Sequence, residues 1–283
     1  MNRKPGRMLT EDDIRRYEED GVVCLRGMFD PDWAKRMHDA SVRFMESGKG
    51  RVRVVNRPDE TGRFYSNVFM CASDPDFMAF RNESPAAEIA ATLMRVDKVR
   101  FWYDQLFIKE PTTKAPTQWH HDLPYWPFRG THLISLWVAF TPVDKESSGV
   151  EYIAGSHKWG KFYQAITPDQ DPNFTDPALE PCPNFDDAEY RRDPKLRYLS
   201  WSLQPGDVVC HHPLTVHGAG GNKSATQRRI GLSIRFLGDD VQWDPREKVV
   251  KIPVPPRVKP GEYPADDAVF PVIWQKGREP AMA

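Results

Sequence analysis

The distribution of hydrophobic and polar positions divides the chain near residue 98. Before that point, polar start and stop signals bracket helical stretches. Thr10 and Asp13 have the spacing of a capping box, and Gly21 ends the helix they open. Asp30-Pro31 opens a second helix that Gly48 terminates, and Ser84-Pro85 opens a third that runs to about Arg95. Val22 to Leu25 is a short strand between the first two. After Val99 the rhythm becomes that of strands. Val99–Lys109 is long and aromatic. Leu133–Phe140, Gly149–Ile153, Asp207–Cys210, Thr215–His217 and Arg228–Leu237 follow, separated by Gly155-Ser156, Pro205-Gly206-Asp207 and Gly218–Asn222 turns. Helices first and many strands afterwards predict an α+β, mainly β barrel with helices packed outside. Two stretches break the pattern. Residues 166–199 are rich in Pro and Asp and read as a lid-like insertion, and residues 245–283 read as a Pro-rich extension laid over the surface. The whole chain of 283 residues is expected to be one domain, with a helical part at about 1–98 and a barrel at about 99–240.

Composition narrows the function. The chain is 40% hydrophobic and 12% aromatic, with a mean hydropathy of −0.62, as in soluble proteins with a real core. No apolar run approaches the roughly 20 residues that span a bilayer. Thirty-nine basic against 40 acidic residues leave a net charge of −1, without the basic excess of a nucleic-acid binder. Cys24, Cys71, Cys182 and Cys210 form no CxxC, which argues against a zinc ribbon or a redox dithiol and fits reduced cytosolic thiols. The N-terminus lacks an apolar signal core, and the ending Glu279-Pro280-Ala281-Met282-Ala283 is not a peroxisomal signal, so a cytoplasmic location is expected. The expected partner is a small-molecule substrate; oligomeric state is not legible.

The informative chemistry lies in Gln118-Trp119-His120-His121-Asp122. On a strand, His120 and Asp122 share a face and His121 takes the other. An imidazole and a carboxylate so placed can fill adjacent corners of a metal's coordination sphere. His217, 95 residues beyond Asp122, can supply a third. Two His and one carboxylate leave three open positions, the arrangement of non-haem Fe(II) oxygenases. An HxD alone is weak, since many are solvated accidents. Arg228 and Arg229 strengthen it, because a guanidinium fork beyond the distal His suits the far carboxylate of 2-oxoglutarate.

Here the chain resembles the phytanoyl-CoA dioxygenase family of Fe(II)/2-oxoglutarate oxygenases. The resemblance is carried by DQLFIKEP (104–111), WHHDLPYWPFRG (119–130), SLWVAFTPVD (135–144), GVEYIAGSHKWG (149–160), PGDVVCHHPLTVHGAGGNKS (205–224) and RRIGLSIRF (228–236). It implies a double-stranded β-helix (a jelly-roll, cupin-like barrel) with flanking N-terminal helices and with Fe(II), 2-oxoglutarate and O2 as cofactor and co-substrates. His120, Asp122 and His217 would be the iron ligands, with Gln105, Lys109 and Trp137 beside the co-substrate. The implied reaction converts 2-oxoglutarate to succinate and CO2 while oxidising, most simply hydroxylating, an unactivated C–H of a small organic molecule. The chain has AGSH where the family has PGSH and WHHD where it has WHQD; neither departure touches a ligand position.

Strand alternation separates the two arginines. Arg229, Gly231, Ser233 and Arg235 share one face, where small residues leave room for a ligand; Arg228, Ile230, Leu232, Ile234 and Phe236 share the apolar one. Arg229 is therefore preferred over Arg228. The same alternation puts Phe101, Tyr103, Gln105, Phe107 and Lys109 together. Trp102, Tyr103, Tyr125, Trp126 and Phe128 are candidates for a substrate wall, or ordinary core. His121, His211 and His212 read as core or supporting residues, His157 as architectural, and His38 and His132 carry no assignment. Asp122 argues against halogenation, which needs a site free of carboxylate. A jelly-roll hydrolase or isomerase with another metal, or a non-catalytic sensor on the same barrel, are the alternatives; the arginine and the whole triad weigh against both.

Overall fold

The computed structural model describes residues 1–55, 62–167 and 171–278. In chain order its elements are α1 (Glu11–Asp20), β1 (Val22–Leu25), α2 (Pro31–Ser47), β2 (Arg53–Val55), β3 (Phe64–Val68), α3 (Pro75–Glu83), α4 (Ala86–Met94), β4 (Lys98–Lys109), β5 (Thr117–His120) and β6 (Phe128–Arg129). There follow β7 (Leu133–Ala139), β8 (Glu151–Ile153), α5 (Ala188–Arg191), β9 (Tyr198–Leu199), β10 (Val208–His211), β11 (His217–Ala219), β12 (Arg229–Leu237), β13 (Gln242–Trp243) and β14 (Val272–Gln275).

The helix boundaries follow local chemistry. Thr10 and Asp13 make the reciprocal capping box of α1, and Gly21 closes it at φ +73°. Asp30 caps α2 by accepting from the Trp33 N–H, and Gly48 ends it at φ +64°. The helix α3, capped by Asp74, is additional to those the sequence marks. The strands β2 and β3 are additional too, so the first hundred residues are less purely helical than expected.

An eight-stranded antiparallel sheet runs β1-β10-β7-β12-β4-β3-β2, with β14 on the part of β4 that β3 leaves free. A four-stranded antiparallel sheet runs β5-β11-β8-β9. On β12 the alternation holds: Ile230, Leu232, Ile234 and Phe236 bury against the helices with Trp33, Phe77 and Phe80, while Arg229, Ser233 and Arg235 line a cavity on the other face. The tail is more than a surface wrap. Its β14 extends the large sheet, and Phe270 is fully buried beside Trp102 and Phe128. Residues 279–283, which carry the expected ending, lie outside the described residues. No helix among the described residues is long and apolar enough to cross a membrane.

One irregularity matters for the site. Ile234 pairs with Asp104 and Phe236 with Phe101, so two steps on β12 oppose three on β4. The surplus residue at Trp102–Tyr103 is a β-bulge, which reverses the alternation of side chains. Phe101 therefore faces the helices, whereas Tyr103, Gln105 and Phe107 face the cavity. The expected face is correct beyond the bulge and wrong before it.

Just past the bulge, Asp104 is buried and accepts from both the backbone N–H and the Sγ of Cys71, at 3.0 and 3.1 Å. Burial outweighs these bonds and lifts its carboxyl to about 6. The unfolded chain ionises this group near pH 4 and the folded chain only near 6. Asp104 therefore burdens the fold above pH 6, and the burden disappears below pH 4. Asp104→Asn keeps an oxygen for both donors. We expect it to stabilise the protein at pH 8 by up to about 3 kcal/mol, with the gain shrinking toward pH 4. Urea unfolding at pH 8 and pH 4.5 checks this. A variant weaker at both pH values would mean that Asp104 serves the fold as an anion.

Candidate metal centre and active site

His120 closes β5 and His217 opens β11, and the two are direct partners in the antiparallel ladder. Their ring centroids lie 4.3 Å apart. Each ring is anchored from behind: His120 Nδ1 is 2.7 Å from the Gln118 carbonyl and His217 Nδ1 is 2.9 Å from that of Thr215. A carbonyl can only accept, so each Nδ1 carries the proton and each Nε2 keeps its lone pair for a metal. Burial, then the neighbouring His120 and His211, press His217 well below the usual imidazole range and hold it neutral.

Asp122 arrives by a turn, not by strand alternation. The strand ends at His120, and Asp122 has helical angles (φ −74°, ψ −32°) at the head of a single 3₁₀ turn, Leu123–Tyr125. That turn brings Oδ1 to 3.6 Å from His120 Nε2 and 3.9 Å from His217 Nε2. The three groups can thus offer one ligand atom each, all within 4.8 Å of one another. Burial alone would raise the Asp122 carboxyl. Arg235, with His120 and His211, instead holds it well below the carboxylate range, so it is an anion ready for a cation. His121 turns away and accepts from the Tyr163 N–H at 2.9 Å.

The inner face of the large sheet supplies a floor in register rows. His211, Ser135 and Arg235 pair across β10, β7 and β12; Trp137, Ser233 and Gln105 pair across β7, β12 and β4. At the far end of β12, Arg229 is buried over the Trp137 ring and donates through Nη2 to the carbonyl and hydroxyl of Ser148, at 3.1 and 3.2 Å. Its Nε has no partner, and among the described residues no carboxylate pairs with it. Gly231 makes room for the indole, since a Cβ there would sit 2.0 Å from Trp137 Cζ2. Arg228 points elsewhere and pairs with Glu110 at 2.9 Å.

Other expected site residues are placed differently. Lys109 does not line the cavity: its buried Nζ donates to the Gly220 carbonyl at 2.7 Å. Burial, then Arg229, push its amine well below the usual range, so it is a poor cation for a carboxylate. Trp102, Trp126 and Phe128 also stay off the cavity wall. They form a separate aromatic core, with Trp102 and Phe128 edge-on at 4.9 Å, because the bulge and the 3₁₀ turn carry them behind Tyr103 and Tyr125. Tyr103, Tyr125, Gln105 and Trp137 do line it.

The cavity measures about 490 Å³. Phe174 stands 5.7 Å from Tyr125, whose hydroxyl hydrogen-bonds the backbone of Ile166, and Asp171 pairs with Arg53 at 3.2 Å. Part of the 166–199 segment thus forms a wall, and Val249, Val250 and Lys251 of the tail form another. His211, Arg235, Tyr152 and these tail residues were not assigned to the site from sequence. Two of them carry a signal: Arg235 through its shared face with Arg229, and His211 as one of the histidines read as core or supporting residues.

Comparison with known proteins agrees with this geometry. The profile of the family described as "Phytanoyl-CoA dioxygenase (PhyH)" matches residues 17–230. The chain belongs to this family. It is accordingly a non-haem iron dioxygenase that uses Fe(II) and 2-oxoglutarate. The multifunctional dioxygenase prhA of Penicillium brasilianum is 26% identical over 254 residues, 84% of this chain and 75% of the relative. Among solved structures, the non-haem, α-ketoglutarate-dependent carbocyclase SnoK from nogalamycin biosynthesis superposes with a TM-score of 0.73 at 19% identity, covering 96% of this chain and all of that one. The epimerase SnoN, in complex with Fe3+, α-ketoglutarate and nogalamycin RO, gives 0.71 at 20%, covering 93% and 98%. These similarities show a shared fold.

Proposed function

We propose that His120, Asp122 and His217 hold the iron, that Arg229 anchors the distal carboxylate of 2-oxoglutarate, and that the substrate is a small organic molecule of secondary metabolism. The observation that carries the reading is the opposed pair His120–His217, each Nδ1 tied to a carbonyl and each Nε2 free beside Asp122 Oδ1. Donor types and count fit Fe(II) with three positions left open. Iron bound there supplies the oxidation of a substrate C–H coupled to conversion of 2-oxoglutarate into succinate and CO2.

The chain's own residues do the positioning. Arg229, buried over Trp137 and without a counter-ion among the described residues, fits one planar carboxylate. Gln105 and Ser233 give the floor between it and the metal residues polar edges. Tyr103, Tyr125 and Phe174 offer faces for an apolar or ring-bearing substrate. The described part of 166–199 acts as a lid that keeps water from the oxidant. The two facing sheets are read as a double-stranded β-helix in a single domain over 1–283, with the 245–283 extension completing the substrate wall. Four free thiols favour the cytoplasm.

Anaerobic titration of the metal-free protein with Fe(II) and 2-oxoglutarate tests the assignment. A weak visible charge-transfer band that needs both components is expected. Absence of the band, with tight zinc or manganese binding instead, would overturn it.

A further inference from the structure

The two oxygens of Asp122 have different surroundings. Oδ1 faces the imidazoles of His120 and His217. Oδ2 is buried, has no hydrogen-bond partner among the described residues, and lies 3.5 Å from both Arg235 Nε and His211 Nε2. Arg235 is itself 2% exposed, with Nε and Nη1 making no hydrogen bond among the described residues; its Nη2 is fixed on Gln105 Oε1 at 3.1 Å, and its Cζ lies 4.3 Å from the centre of the Tyr103 ring. A buried guanidinium with spare donors is costly unless an anion uses them. Within this row the anion is Oδ2. His211 and Arg235 pair with the same residue, Ser135, so the sheet register aims both at that oxygen.

Resting on the metal assignment above, we infer that Arg235, supported by His211, is a positioning residue that holds Asp122 Oδ2 away from the metal, so that Asp122 ligates through Oδ1 alone. The consequence concerns coordination number. A carboxylate bound through both oxygens occupies two positions and leaves two; bound through one, it leaves three. The reaction needs three, two for 2-oxoglutarate and one for O2. Arg235 thereby protects a vacancy. It does so at some cost to metal affinity, because its charge opposes a divalent cation nearby.

The test uses Mn(II) and needs no turnover. Infrared difference spectra (metal-loaded minus metal-free) report carboxylate denticity through the splitting of the antisymmetric and symmetric stretches. The wild type is expected to show the wide splitting of one-oxygen ligation. Arg235→Met is expected to show the narrow splitting of a chelate and an unchanged or tighter Mn(II) Kd. Its 2-oxoglutarate Kd at saturating Mn(II) should rise about tenfold or more, because the chelating Asp122 takes a position the co-substrate needs and a loss of only about 1.4 kcal/mol is already tenfold. Arg235→Lys keeps the charge without the fork and should fall between; it carries the comparison if the methionine variant does not fold. In an Asp122→Ala background, Arg235→Met should leave the 2-oxoglutarate Kd alone. Wild-type splitting and Kd in folded Arg235→Met would overturn the inference. So would an equal loss of 2-oxoglutarate affinity with and without Asp122, since Arg235 would then touch the co-substrate. A wild-type spectrum matching Asp122→Ala would instead sink the metal assignment itself.

Discussion

Asp122→Ala is expected to abolish coupled turnover, with succinate formation falling by roughly a thousandfold or more. Residues that merely orient a metal ligand cost ten- to a hundredfold when removed, and a ligand itself must cost more. Stability should fall as well. Arg235 and His211 face Asp122 Oδ2 from 3.5 Å, and no other carboxylate pairs with Arg235 among the described residues. Deleting the anion leaves a buried cation unmatched, at a cost of about 3 kcal/mol. That corresponds to a fall in Tm of roughly 5 °C for a chain of this size. His217→Ala should lose turnover equally but keep more of the stability, since its ring is neutral and its anchor is one backbone carbonyl. Succinate assays and thermal melts of both variants check the pair. Turnover retained by folded Asp122→Ala would refute the ligand assignment.

Arg229→Ala is expected to raise the KM for 2-oxoglutarate by about a hundredfold and to change kcat far less. Two charge-assisted hydrogen bonds contribute about 1.5–3 kcal/mol each, and each 1.4 kcal/mol is tenfold in affinity. The free protein should respond in the opposite direction. Burial draws the Arg229 guanidinium down to about 10, the mark of a charge held without a counter-ion. Removing it relieves that burden, so the melting point without co-substrate should hold or rise. The added stability that 2-oxoglutarate confers on the wild type should disappear. An unchanged KM would move the anchor away from Arg229. Arg228, facing outward on Glu110, would be a poor replacement.

The parts of the molecule that follow from local chemistry were legible in the sequence. Thr10, Asp30, Gly21 and Gly48 bound α1 and α2 because caps act within a few residues. Alternation on β12 separated Arg229 from Arg228 because that strand is regular through Ile234. His120, Asp122 and His217 stood out by residue type, although the turn at Asp122, not alternation, brings the carboxylate in. What escaped depends on contacts distant in sequence. The bulge at Trp102–Tyr103 bears no mark in its own residues, so alternation alone puts Phe101 on the wrong face and leaves Trp102 undecided between wall and core. Lys109 has the position of a cofactor contact in the sequence, but the Gly220 carbonyl, 111 residues away, occupies its amine. The strand β14 and the wall at Val249–Lys251 sit among prolines that read as mere surface chain.

The direct pairing of His120 with His217 has a consequence for how such a protein can diversify. Both imidazoles are set by one rung of a ladder, so their spacing is indifferent to how much chain runs between them. Lengthening a loop costs only logarithmically in closure entropy. The segment after β8 and the tail after β13 can therefore be rewritten, and with them the shape presented to a substrate, while the rung stays still. A scaffold of this kind separates inheritance of the reaction from inheritance of its target. Relatives on this fold bear names as different as carbocyclase, epimerase and multifunctional dioxygenase, as that separation would allow.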